Sequence, residues 1–239
     1  MNKKIVLVTG ASRGIGYELV KKLVKTSSFI VLFTVRSNLK GRTLMEEFSK
    51  YTSECKFFVL DLSNFKSISE TVNKIIENYK KIDVLVNNAG VYLDSPDLDE
   101  FPSFLDVTPP ILTKTLDINL FGPMILSQSL LPYFNKKGLI INISSGDGKL
   151  NTSRDRSGHI AYRLSKNALN IFGLTLSQQL SDKDIKILSV CPGWVSTDMG
   201  GPLAPRTAID GASDIMSVMI ESEQILSGSF LYQFSYQKY

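Results

Sequence analysis

The stretch Tyr162-Arg163-Leu164-Ser165-Lys166 holds a phenol and an ammonium four positions apart. On a helix that spacing sets both side chains on one face, about one turn from each other. A free tyrosine has a pKa of about 10, and a nearby cation favours the phenolate and lowers that value. Such a hydroxyl serves as acid and base in moving a proton to or from a carbonyl oxygen. By itself Tyr-x-x-x-Lys is common, and a helical tyrosine is more often a packed residue than a catalyst. Its weight comes from company: Asn142-Ile143-Ser144-Ser145 ends an apolar run with hydroxyls able to hold a carbonyl.

A second group of residues is built for phosphates. Thr9-Gly10-Ala11-Ser12-Arg13-Gly14-Ile15-Gly16 follows an apolar run and precedes a helical pattern with Leu19, Val20, Leu23 and Val24 on one side. Glycines let the backbone turn sharply and approach a pyrophosphate, while the amides and dipole at the helix start attract its charge. The spacing Gly-x-x-x-Gly-x-Gly differs from the commoner Gly-x-Gly-x-x-Gly, and a ligand-free glycine turn is the competing reading. At Thr34-Val35-Arg36-Ser37 no acid stands where an NAD site would hold the ribose hydroxyls. Arg36, helped by Arg13, pairs instead with a 2′-phosphate, so the cofactor expected is NADP; the alternative is a solvated strand-end arginine. Asp61 has two readings, an acceptor for the adenine amino group or the residue before a Ser63-Asn64 helix cap. Asn87-Asn88-Ala89-Gly90 closes a fourth strand at the sheet's carboxyl edge, where doubly wound folds bind ligands.

The elements that must position these groups alternate along the chain. Apolar runs at Lys4–Thr9, Phe29–Thr34, Lys56–Leu60, Val84–Asn87, Leu139–Ile143, Lys186–Val190 and Ser229–Tyr232 read as strands buried on both faces, and amphipathic stretches cross between them. That pattern predicts an α/β fold with a seven-stranded parallel sheet and helices on both faces. Pro109–Phe134 and His159–Ser181 read as one long helix each, the first bent at Pro123. Tyr92–Pro110 reads as a long loop, acidic between Asp94 and Glu100.

With 239 residues, 43% of them hydrophobic and 21% charged, the chain suits one domain over residues 1–239. The net charge is +4 and the basic residues are scattered, so a nucleic-acid partner is not expected. Two cysteines, Cys55 and Cys191, do not make a disulfide framework and point to a reducing compartment. The N-terminal apolar run is too short for a signal sequence and no run of 18 apolar residues follows, so the expectation is a cytoplasmic protein without a membrane partner. His159 is the only histidine, which leaves almost no material for a histidine metal cluster or a Ser-His-Asp triad; no metal is expected.

Over essentially its whole length the sequence resembles the short-chain dehydrogenase/reductases. The matching landmarks are Thr9–Gly16, Asn87–Gly90, Asn119, Ser145, Tyr162 with Lys166, and Pro192-Gly193 followed by Thr197. Ala161–Asn170 and Cys191–Gly201 are similar to the carbonyl-reductase-like and C-factor (sniffer-like) branch. The resemblance implies a single Rossmann-type doubly wound domain that reduces an aldehyde or ketone with NADPH, or runs the reverse oxidation. It implies that Tyr162 protonates the carbonyl oxygen, Ser145 orients the carbonyl, Lys166 binds the nicotinamide ribose and lowers the tyrosine pKa, and Asn119 anchors a water. It also implies a cofactor site drawn from Gly10, Ser12, Arg13, Gly14, Ile15, Gly16, Arg36, Asp61, Leu62, Asn88, Ala89, Gly90, Tyr162, Lys166, Pro192, Gly193, Val195 and Thr197. Within it Thr197 meets the carboxamide and Pro192-Gly193 shapes the nicotinamide wall.

Ser145 is preferred to Ser144 as the second of the pair, although 17 positions separate it from Tyr162 and the insert Gly146–Gly158 is polar and basic. Asp198–Pro205 is expected to lie over a small-molecule carbonyl substrate, with Trp194 in the pocket wall. Two other functions stay open: a regulatory protein that senses NADP, and a 3-oxoacyl-acyl-carrier-protein reductase. The family also implies a homodimer or homotetramer paired through the two long helices.

Overall fold

The computed structural model describes residues 3–51, 53–94, 107–150 and 159–237. Among the described residues there are ten strands: β1 Lys4–Val8, β2 Phe29–Val35, β3 Cys55–Val59, β4 Ile82–Asn87, β5 Phe134–Ile143, β6 Ile185–Cys191, β7 Val195–Ser196, β8 Arg206–Thr207, β9 Phe230–Tyr232 and β10 Ser235–Gln237. Eight form one sheet in the order β10-β9-β6-β5-β4-β1-β2-β3, and β7 pairs with β8 in a short separate ribbon. The helices are α1 Gly14–Val24, α2 Asn38–Phe48, α3 Phe65–Tyr79, α4 Pro109–Leu116, α5 Gly122–Leu130, α6 Ile160–Gln179 and α7 Ala208–Glu221.

Strand periodicity of two divides the apolar residues between two cores. On one face Val6, Val8, Val31 and Phe33 pack with Leu19, Leu23 and Ile215 of α1 and α7. On the other, Leu7, Leu32, Leu85 and Ile140 pack with Ile68, Val72 and Ile75 of α3 and Leu126 of α5. The strand order reverses at β1, which pairs in parallel with β2 on one side and β4 on the other. Connections leave that point in opposite directions, which opens a crevice at the carboxyl ends of the strands.

The sheet has eight strands where seven were expected. The added β10 runs antiparallel to β9, and the two are joined by Gln233 and Phe234 at φ 46 and 64. A two-residue hairpin of type I′ needs positive φ at both positions, usually signalled by Asn-Gly or Asp-Gly. This chain folds the same hairpin with residues that give no such signal.

The stretch expected as one helix bent at Pro123 is broken earlier. Residues Asp117–Phe121 form a π turn, in which the Gly122 amide donates to the Asp117 carbonyl, and α5 then carries Pro123 in its first turn. Proline has no N–H for the Asn119 carbonyl and its ring crowds that oxygen, so a widened turn relieves the clash before the proline is reached. The helical stretch ends at Tyr133 and Phe134 already belongs to β5. At α3 it is Asn64 that caps, accepting from the amides of Lys66 and Ser67. Among the described residues no helix is long and apolar enough to cross a membrane.

Candidate active site

The glycine loop joins β1 to α1 directly beside the end of β4. Gly10 and Gly14 take φ 71 and 59, and a Cβ on Gly10 would lie 2.8 Å from the Ala89 Cα. On Gly16 it would lie 2.5 Å from the Gly10 carbonyl. Backbone therefore packs on backbone here, and only glycine allows it. Polar side chains tie the two strand ends together. Thr9 Oγ1 accepts from the amides of Asn88 at 3.0 Å and Ala89 at 3.1 Å, and Asn88 Nδ2 donates to the Thr9 carbonyl at 2.8 Å.

From this loop a cleft of about 1070 Å³ runs along the carboxyl edge of the sheet. Every residue expected in the cofactor site lines it, from Gly10 through Arg36, Asp61, Leu62 and Asn88–Gly90 to Pro192, Gly193, Val195 and Thr197. So do Ser145, Tyr162 and Lys166. Arg36 is exposed at the end of β2. Arg13 forms an ion pair with Asp198 from the opposite rim, a partner not foreseen for it. Asp61 accepts from the Ser63 amide and hydroxyl at 2.9 and 2.7 Å, and the hydroxyl bond holds its carboxyl below the usual range.

Two adjacent serines end β5 with different fates. Ser144 is buried and its hydroxyl donates to Asn170 Oδ1 at 2.5 Å. Ser145 turns the other way, towards the Tyr162 hydroxyl, whose pKa it acts to lower. One turn along α6, Lys166 places its Nζ 5.6 Å from the centre of the Tyr162 ring and donates to the Ile143 carbonyl at 2.8 Å. Burial raises the Tyr162 pKa, outweighing the lowering by Ser145, and burial also lowers Lys166 to about 8. Burial thus acts on the phenol in the direction opposite to that of a neighbouring cation. That cation is itself disfavoured by the same buried surroundings.

Asn119 sits in the π turn behind the cleft and does not line it. Its Oδ1 accepts from the Val91 amide at 2.8 Å, and its Nδ2 donates to the Val91 carbonyl at 2.9 Å and Ser165 Oγ at 3.0 Å. The side-chain amide thereby clamps the exit of β4 to α6.

Several neighbours of Tyr162 had no sequence signal. Asp94 is buried and caps α6 from a distant loop, accepting from the Ala161 amide. The Tyr92 ring meets the Tyr162 ring edge-on with centres 4.9 Å apart, and its hydroxyl hydrogen-bonds His159 Nδ1. His159 does begin the helix as expected, but at φ 65 and lining the cleft, where burial lowers its pKa. Cys191 is buried beneath the site, which pushes its thiol up. Trp194 and the stretch Asp198–Leu203 line the far wall, with the Trp194 ring N–H donating to the Gly200 carbonyl at 2.6 Å. Residues 95–106 of the acidic loop and 151–158 of the polar insert lie outside the described residues.

Comparison with known proteins agrees with this geometry. The family model described as short chain dehydrogenase matches residues 4–208. Carbonyl reductase [NADPH] 1 of Bos taurus is 27% identical over 249 aligned positions, covering 87% of each chain. The structure of an NADPH-bound carbonyl reductase from chicken fatty liver superposes with a TM-score of 0.87 at 27% identity, over all of both chains. Carbonyl reductase Sniffer of D. melanogaster gives 0.86 at 29% identity, over 98% of both.

Proposed function

Since the chain belongs to the short chain dehydrogenase family, we propose that it is an NADPH-dependent oxidoreductase that reduces an aldehyde or ketone, with Tyr162 as the proton donor. The observation that carries this reading is that Ser145, Tyr162 and Lys166, with the Lys166 Nζ 5.6 Å from the centre of the phenol ring, line the same cleft as the glycine loop.

The cleft suits a phosphorylated dinucleotide. Gly10 and Gly14 line the cleft where a pyrophosphate would lie, and α1 starts there with no acidic residue in its first turn, leaving its positive end for an anion. Arg36 stands where an acid would be needed to favour NAD, so its guanidinium would hold a 2′-phosphate. Asp61, Leu62 and Asn88–Gly90 would flank the adenosine, and Pro192, Gly193, Val195 and Thr197 the nicotinamide. When bound, NADPH supplies the hydride.

The chain's own groups handle the proton. Burial keeps the Tyr162 hydroxyl protonated at neutral pH, so it is loaded to donate to the carbonyl oxygen as that oxygen gains charge. The Ser145 hydroxyl orients the same oxygen and then stabilises the phenolate left behind. Lys166 offsets that phenolate charge and has donors to spare for a ribose hydroxyl. Asn119 contributes through position 123: proline offers its main-chain oxygen no N–H, which leaves that oxygen to anchor a water for proton return. Pairing of two copies would use the outer face of α6, where Leu164, Ile171 and Leu174 are exposed.

The test is NADPH consumption by the purified protein with neutral aromatic and aliphatic aldehydes and ketones. Consumption with NADPH in preference to NADH supports the reading. No consumption with any of them, or rates confined to carrier-linked acyl substrates, overturns it.

A further inference from the structure

Strand β6 ends at Cys191, and the chain leaves the sheet through Pro192 and Gly193, the latter at φ 79. Both residues line the cleft. A main-chain oxygen where a chain leaves a sheet needs a donor from elsewhere. The Pro192 carbonyl finds one in Arg206, whose Nη1 donates to it from β8. The same nitrogen donates to Asp214 Oδ2 of α7 at 2.7 Å, in an ion pair whose side chains are only 20% and 18% exposed. Neither Arg206 nor Asp214 lines the cleft, so the pair stands behind its wall.

The turn is gripped from several directions. Val195 pairs with Arg206 where β7 meets β8. A Cβ on Gly193 would lie 3.2 Å from Arg206 Cδ, and one on Gly211 of α7 would lie 3.3 Å from the Pro192 Cβ. Asp210, whose charge Arg206 also feels, is held by Thr207, accepting from its amide and hydroxyl at 2.8 Å. Asp214 is therefore the acid that bonds the guanidinium. The glycine loop is tied down separately, by the bonds of Thr9 and Asn88 between the ends of β1 and β4.

Resting on the reading of the cleft as a dinucleotide site with Pro192 and Gly193 at its nicotinamide end, we propose that Arg206 and Asp214 are positioning residues. Their ion pair holds the Pro192-Gly193 turn against α7 and so fixes the nicotinamide, while the glycine loop holds the phosphates without them.

Calorimetric titration with two ligands tests this: NADPH, and 2′-phospho-ADP-ribose, which keeps the phosphates and lacks the nicotinamide. The wild type is expected to bind NADPH more tightly than the fragment by about tenfold or more. In Arg206→Met that ratio should fall towards one, because NADPH is weakened and the fragment is not. Arg206→Lys keeps a donor for the carbonyl and a charge for Asp214 but not the planar fork, so it should recover part of the ratio. General damage to the fold would weaken both ligands together and leave the ratio where it was.

A wild-type ratio near one, or a ratio unmoved in Arg206→Met, overturns the assignment. Should Arg206→Met not fold, Asp214→Asn decides, since it removes the charge that anchors the guanidinium: a lowered ratio supports the role and an unmoved one overturns it. Wild-type protein that binds neither ligand overturns the cofactor site itself, and the positioning role with it. Neither titration needs turnover, so if the ratios move as expected while no carbonyl is reduced, the reductase reading fails and the role of the ion pair stands.

Discussion

Asp94 holds the backbone of Tyr162: its Oδ2 accepts from the Tyr162 amide at 3.3 Å and from the Ala161 amide at 2.7 Å. A carboxylate more than sixty positions upstream thus caps α6, whose own preceding residue, His159, makes no side-chain capping bond. Free amides at a helix start must find acceptors, and a negative charge there also meets the positive end of the dipole.

Asp94→Ala is therefore expected to lower stability by about 1–2 kcal/mol and to lower kcat as well, because the residue released is next to the reacting hydroxyl. Urea unfolding and steady-state kinetics check the two effects. Asp94→Asn, which keeps an acceptor, should recover part of both; a wild-type kcat in Asp94→Ala would show that the cap does not position Tyr162.

Tyr162→Phe is expected to reduce turnover by about 10²–10⁴-fold while NADPH affinity changes little. The substitution deletes the transferable proton but leaves the glycine loop and Arg36 untouched. Single-turnover kinetics and a direct NADPH titration separate these quantities. Retained turnover would remove the tyrosine from the mechanism.

Arg36→Asp should move the preference between NADPH and NADH by about 10–100-fold towards NADH, the worth of one charged hydrogen bond. The ratio of kcat/KM for the two cofactors measures it. An unmoved ratio would return Arg36 to the solvated surface.

Lys166 links the site to pH. Its pKa falls from 10.5 to about 8 through burial, so below about pH 8 the folded and unfolded chains both carry the charge and the burial penalty is felt in full. Between about pH 8 and 10.5 the folded chain has released the proton and the unfolded chain has not, so stability rises with pH across that window. Lys166→Met should be more stable than the wild type by about 1–3 kcal/mol at neutral pH, and the difference should shrink as pH climbs through the window. Urea midpoints at several pH values give the slope, and a difference that does not change with pH would contradict it.

Much of this architecture was written in local patterns. Alternation of apolar runs with amphipathic stretches located the central strands because parallel strands covered on both faces must be apolar throughout. The glycine loop and the Tyr162-Lys166 spacing were legible because each answers to a short-range geometric demand. Of the two adjacent serines, Ser145 faces Tyr162 and Ser144 bonds Asn170. What local pattern could not carry were relations across the chain. Asp94 capping α6, Tyr92 against His159, and Arg13 drawn to Asp198 each join residues whose proximity exists only after the sheet has formed. The hairpin at Gln233-Phe234 escaped for another reason, since tertiary packing there holds positive φ in residues that seldom adopt it.

The widened turn at Asp117–Phe121 makes chain length, and not only residue type, a determinant of the site. It accommodates one residue beyond what a regular helix would need. Removing a single residue from this stretch would bring back the clash of Pro123 with the preceding turn, and it would swing Asn119 by about 100° relative to the following turn. The clamp on Val91 and Ser165 would then be lost with every side chain in the cleft unaltered, so a one-residue deletion here would do more harm than many substitutions.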